Sequence, residues 1–487
     1  MIEDRDNISK ILILFCVISG GILVSIVFTQ NVFTDELSYY LPAAREIAKG
    51  RQLYGDFFFP QMPLSAIAFL PFSGGGWVNL FLARIVSYLL AVVSGVILLL
   101  YTFHLNKSKG ETVYTGILWA GNAVLFYGSV QATQRAWVNL LNVLFLISFF
   151  LSLKRRKTIY SLLSGVCIGL SMSFRSVFFI LFIIAIIFLL SKREWKMIPY
   201  IVTGFILGAL PSLYYFLKYP DEFLFCNLLY HLKRSVPSFY WFITHRFLIL
   251  LKVIIFPSNI VLFVLLAVAF NLKKVRGEEF MSLICAAVLF IFYYFLLTPT
   301  HFGYMTEIYP FILFFLLPHL GSLKGKVWSK WLLIIYISSY IPCSLMYSFT
   351  VRDWQKGYTI SNARKITEII EEVTDENDEV VSCGIQFGFL ARRQTIPELA
   401  IPTYDIAARL DENIRERYHL TAYEDIPMLL QRNKPRLIVD VIDEKDTEFF
   451  RLDEMGYKKI TEYNGVSIFL LSDSKHQTLG ETERKGL

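Results

Sequence analysis

Thr34-Asp35-Glu36 stands just beyond an apolar run from Ile11 to Phe28. An acidic pair placed where a bilayer-length run leaves the membrane sits at headgroup depth. Carboxylates there have two uses: they cap the helix that starts there, because Asp and Glu are favoured in a first turn, or they handle a proton for a reacting group. Asp56 lies further along the same segment, in Leu53-Tyr54-Gly55-Asp56-Phe57, and is either another acid of that site or a turn residue. Between them, Leu37 to Gly50 repeats its apolar residues at helical spacing, which suits a helix lying on the membrane surface. The segment then runs through Pro60-Gln61-Met62-Pro63 to Gly74-Gly75-Gly76.

The elements that must hold these residues follow from composition. Of 487 residues 55% are hydrophobic and only 18% charged, and mean hydropathy is +0.50, so there is too little charge to cover several globular surfaces. The net charge of +7 sits in short clusters between apolar runs, which reads as membrane topology and not as a nucleic-acid face. Runs near 11–28, 78–104, 112–130, 136–153, 158–174, 176–191, 197–217, 246–270, 279–297, 308–320 and 329–350 give about eleven spans of a core about 30 Å thick. Lys107 and Lys109, Lys154 to Lys157, Lys192 with Arg193 and Lys196, Lys273 with Lys274 and Arg276, and Lys324 with Lys326 and Lys330 then share one side. Basic loops stay in the cytoplasm, so the N-terminus is expected inside and the C-terminus outside a multi-pass cell-membrane protein. Three long segments face outward: 30–77, 218–245 and everything after 351.

The expected fold class is an α-helical polytopic membrane protein over 1–350 with a small extracytoplasmic α/β domain over 351–472; the polar tail 473–487 reads as disordered. In the C-terminal part, 362–373 and 423–431 read as helices and 379–382 and 436–442 as strands. A hairpin spans 457–471 about Asn464-Gly465. The six cysteines show no metal or haem spacing, and no Gly-x-Gly-x-x-Gly loop is present.

The acidic pair after the first span, the surface helix ending in Gly50, the Leu-Tyr-Gly-Asp-Phe turn and the Pro-containing entry to the next helix together resemble the GT-C superfamily of polytopic glycosyltransferases. The resemblance is strongest to the family 39 protein mannosyltransferases and the aminoarabinose transferases of lipid A. Gly165-Val166-Cys167-Ile168-Gly169-Leu170 and Tyr309-Pro310-Phe311 are similar to further family segments. The resemblance implies transfer of a sugar from a polyprenyl-phosphate donor to a protein, lipid or glycan acceptor on the outer face. Asp35 would be the general base, worth typically about 10²–10⁴-fold, and Glu36 an orienting or secondary acid. No Asp-x-Asp occurs in the outer loops, so no cofactor is expected, with a divalent metal left open.

The leaving lipid phosphate that this chemistry implies needs cations or hydrogen-bond donors at the interface. Asp56, Arg135, Arg175, the outer group His231, Lys233 and Arg234, and the late group His301, Tyr304, Glu307 and Tyr309 are the binding candidates, each weighed against a role as interfacial anchor. Arg175 is distinguished by a turn too tight for a solvated decoration. The rival class is a transporter or flippase of lipid-linked sugars, which intramembrane charge and an internal repeat would favour. The acids cluster at one interface, and no convincing repeat is found.

Overall fold

The computed structural model describes residues 2–32, 35–106, 108–233, 239–271, 277–297, 300–323, 326–349, 358–382, 384–440 and 444–472; Lys107, Arg234, Lys273, Lys274, Arg276, Lys324 and the tail from 473 lie outside them. Its membrane part consists of α1 (Ile2–Val27), the surface helix α2 (Leu41–Ala48), α3 (Gly76–Asn106), α4 (Lys109–Ala120), α5 (Ala123–Val130), α6 (Arg135–Arg155), α7 (Thr158–Phe174), α8 (Phe179–Ser191), α9 (Ile198–Lys218), α10 (Phe239–Ile255), α11 (Pro257–Asn271), α12 (Gly277–Ile291), α13 (Met305–Leu316) and α14 (Val327–Ser338). Each apolar run of the sequence is thus helical. Among the described residues, six helical stretches are by themselves long and apolar enough to cross a membrane.

Two runs are not single straight helices. α10 and α11 meet at 69° about Phe256, where Pro257 brings no backbone N–H to continue the ladder. Asn259 Nδ2 donates to the Val253 carbonyl at 2.9 Å across that break. The run 112–130 is interrupted at Gly121-Asn122, where Asn122 Oδ1 accepts from the Leu125 N–H at 2.8 Å and starts α5.

α7 and α9 cross at backbone contact. A Cβ on Gly165 would lie 2.1 Å from the Ile201 carbonyl oxygen, and one on Gly208 would lie 2.3 Å from that of Val166. In lipid no hydrophobic force joins helices, so small residues spaced by four that admit close packing do so instead. Gly165 and Gly169 find their partners in Gly204 and Gly208, and Ser212 Oγ donates to Ser173 Oγ at 2.9 Å beside them. This crossing fixes the C-terminal end of α7, where Arg175 follows. Gly208→Leu is therefore expected to lower the melting temperature of the detergent-solubilised protein, at an overpacking cost of about 1–3 kcal/mol or more; an unchanged melting temperature would contradict the crossing.

The C-terminal part has α15 (Ile360–Val373), β1 (Val380–Val381), α16 (Ile426–Asn433), β2 (Leu437–Asp440), β3 (Tyr457–Tyr463) and β4 (Val466–Leu471). They form a four-stranded sheet in the order β1-β2-β4-β3, with β1 parallel to β2 and the other pairs antiparallel. Asn464 and Gly465, at φ 49° and 79°, make the tight turn of the hairpin. This unit shares a core with the loop between α1 and α3: Leu37, Tyr40 and Phe57 pack in one cluster with Ala363, Ile366 and Phe387. Backbone bonds reinforce it, from Val32 N–H to the Tyr358 carbonyl at 2.7 Å and from Gln386 N–H to the Leu37 carbonyl at 3.2 Å. Ser38 Oγ donates to the Gly384 carbonyl at 2.9 Å. The loop that carries the acidic pair is consequently clamped between bundle and sheet.

Candidate active site

The backbone from Glu36 to Tyr40 makes a wide π-type turn ahead of α2. Asp35 stands at its N-terminus with helical backbone angles, and its side chain does not cap the turn. Four residues on from Glu36, the Tyr40 phenol is buried. Burial first and the Asp35 charge second push its pKa far above the ordinary value, while Arg175 and Arg135 pull the other way and the Gln134 side chain hydrogen-bonds it. One phenol therefore has within electrostatic reach an acid from the loop after α1, an arginine from the start of α6 and an arginine from the end of α7.

Each arginine is held. Arg135 is buried, and its Nη1 donates to Gln131 Oε1 at 2.6 Å. Gly303 packs against the guanidinium so closely that an added Cβ would stand 3.3 Å from its Cζ. Arg175 follows α7 in extended conformation, and its Nη1 donates to Glu307 Oε1 at 2.6 Å. Its guanidinium stacks over Tyr293 and Tyr304, 4.9 and 4.5 Å from the ring centroids. The two rings stack on each other at 4.7 Å, and the Tyr293 hydroxyl donates to Glu307 Oε2. Arg175, in a turn that the sequence reads as too tight for a solvated decoration, is thus packed against buried partners.

Glu36 has a different fate from its neighbour. Fully buried, it forms an ion pair with Arg84 of α3, which donates to both carboxylate oxygens, and Glu36 Oε2 also accepts from the Ala132 N–H at 3.0 Å. Arg84 further donates to the carbonyls of Val27, Gln30 and Asn31. Glu36 thus fastens the acidic loop, through Arg84 and Ala132, to α1, α3 and the turn before α6. Arg84 went unread in the sequence although its signal is plain: a charge inside the apolar run 78–104 is costly unless paired.

Other expected residues have other partners. Asp56 is exposed, and its Oδ2 accepts from the Gln52 N–H at 2.6 Å, the turn role. It borders a separate cleft of about 450 Å³ with Phe57, Glu398, Arg415 and His419. Tyr309 is buried in the bundle, where its hydroxyl donates to the Leu118 carbonyl and accepts from Tyr336 at 2.7 Å, tying α13 to α4 and α14. His231 Nε2 donates to the Pro60 carbonyl at 3.0 Å, and Lys233 is exposed. His301 is exposed, with its ring edge-on to Tyr304 at 5.4 Å. Among the described residues no three His, Cys, Asp or Glu side chains gather as a metal site.

No protein-family model matches the sequence, and no curated protein matches it significantly. Solved structures do match the fold. The crystal structure of ArnT from Cupriavidus metallidurans bound to undecaprenyl phosphate is similar at a TM-score of 0.66 and 11% identity, over 95% of this chain and 98% of that one. The same protein in the apo state is similar at 0.66 and 12% identity over the same shares. The agreement covers nearly the whole of both chains, and this chain has the fold of ArnT.

Proposed function

We propose that the protein transfers a sugar from a polyprenyl-phosphate carrier to an acceptor hydroxyl on the outer face of the membrane, with Asp35 as general base. The observation that carries this reading is that Asp35, Arg135 and Arg175 all lie within electrostatic reach of the buried Tyr40. In the transfer the acceptor oxygen attacks the anomeric carbon while its proton passes to Asp35. The bond from that carbon to the phosphate oxygen breaks, and its electron pair leaves with the phosphate, whose charge the two arginines stabilise. Undecaprenyl phosphate bound to ArnT, on the same fold, supports a carrier of this chemistry. Purified protein given a panel of radiolabelled polyprenyl-phosphate sugars and membrane extract should move label onto an acceptor, and absence of transfer from every carrier would count against the reading.

Arg175→Lys is expected to weaken carrier binding and turnover although charge is kept. Lys replaces a planar fork that packs over two tyrosine rings with a compact charge, and charge-assisted contacts of this kind are worth about 1.5–3 kcal/mol each. Unchanged carrier KM and kcat would instead assign Arg175 to anchoring. The proposed orientation places the C-terminal unit outside the cell. A cysteine introduced at the exposed Glu412 should be labelled by an impermeant reagent in intact cells, and labelling only after permeabilisation would put the unit on the wrong side.

A further inference from the structure

We infer that the turn 131–134, with Ser129 just before it, is the subsite for the donor's sugar ring, and that it takes a neutral sugar bearing free hydroxyls. The inference rests on the function proposed above and names the substrate class of that site. Ser129 Oγ, Gln131 Nε2, Thr133 Oγ1 and Gln134 Oε1 are buried and have no hydrogen-bond partner among the described residues. Buried polar atoms are nearly always paired, so four in six residues of chain call for an explanation.

The turn's construction supplies one. The Ala132 N–H is bound to Glu36, Gln131 Oε1 to Arg135 and the Gln134 side chain to Tyr40. The scaffold therefore uses one end of each glutamine amide and leaves the other end over. What is left over is a donor at Gln131, an acceptor at Gln134 and two hydroxyls that serve either way. A sugar hydroxyl both donates and accepts, so this mixed set matches a polyol ring. Its place is right as well: the same turn leads directly into Arg135, and Gln134 hydrogen-bonds the phenol that lies within electrostatic reach of Asp35 and Arg175.

The preference for a neutral ring follows from charge. All four groups are uncharged, and the nearby acids Glu36 and Glu307 are committed to Arg84 and Arg175. An ammonium on the sugar would be buried without a carboxylate of its own or would compete for Asp35.

The test is equilibrium binding to the purified full-length protein of three carriers: bare polyprenyl phosphate, the same lipid bearing a neutral hexose, and the same lipid bearing an amino sugar. Wild type and the isosteric double variant Ser129→Ala/Thr133→Val, which leaves the Arg135 and Tyr40 contacts alone, are compared at matched melting temperature. Wild type should bind the neutral-sugar carrier about tenfold or more tighter than the other two, as a few added hydrogen bonds allow. The double variant should lose that margin and keep its affinity for bare polyprenyl phosphate. Equal loss for bare and sugar-linked lipid, no change at all, or an amino-sugar carrier bound as tightly as the neutral one would overturn the subsite. Failure of wild type to bind any of the three would overturn the proposed function itself, and the subsite with it.

Discussion

Asp35→Asn is expected to cut transfer by about 10²–10⁴-fold, the usual worth of a positioned base, while expression, membrane insertion and melting temperature stay at wild-type values. The reasoning joins two observations. Asn has nearly the volume of Asp and cannot take the acceptor's proton. Asp35 also makes no side-chain cap on the turn, so the substitution costs no helix cap, and it removes one of the influences that disfavour ionised Tyr40. A purified Asp35→Asn protein that transfers at the wild-type rate would eliminate the assigned base.

Arg84→Ala should act oppositely, on the fold first. Its guanidinium joins Glu36 to three main-chain carbonyls of the segment leaving α1, entirely out of solvent. Removing one partner of a buried ion pair strands the other, at a typical cost of about 3–5 kcal/mol. The variant is expected to melt well below wild type in detergent and to lose activity because the acidic loop is released. Glu36→Gln should be milder, since an amide oxygen still accepts from the Ala132 N–H and from arginine. Thermal unfolding followed alongside kcat separates the two neighbours: Asp35 should govern rate without stability, Glu36 and Arg84 stability and rate together. An Arg84→Ala protein that melts with wild type would contradict this division.

The different fates of Asp35 and Glu36 show where the sequence stops being legible. Hydropathy and basic loops suffice to mark every helical run, because lipid forces backbone bonds to close within each helix. The hairpin at Asn464-Gly465 is equally readable, since few dipeptides accept two positive φ values in succession. Which of two adjacent acids is buried in an ion pair depends instead on Arg84, 48 residues away along the chain, and no local pattern encodes that pairing. The bend at Pro257 and the break at Asn122 were visible as a proline and an N-cap, yet uninterrupted hydropathy masked both.

The C-terminal unit was half legible for a related reason. α15, β2 and the hairpin have strong periodicity, whereas Phe387–Leu390 and Glu412–Arg417 are single turns or little more, too short for any period to show. The core it shares with the loop after α1 puts Leu37 and Tyr40 in one cluster with Ile366 and Phe387, neighbours that only the folded chain brings together. Of the binding candidates, Arg135, Arg175, Tyr304 and Glu307 converge because α6, α7 and α13 end on the same face of the bundle. Asp56 and Tyr309 resemble them in sequence context, and local geometry commits them to a turn and to the bundle interior.

The most direct test of catalysis against mere carriage uses proteoliposomes containing the purified protein, a radiolabelled polyprenyl-phosphate sugar and a membrane-extract acceptor, with lipid and sugar followed separately. The account predicts that wild type releases free polyprenyl phosphate and labels the acceptor in equal amounts, and that Asp35→Asn does neither. Movement of intact sugar-linked lipid between leaflets, with its sugar–phosphate bond unbroken in wild type and variant alike, would contradict it and make the protein a transporter.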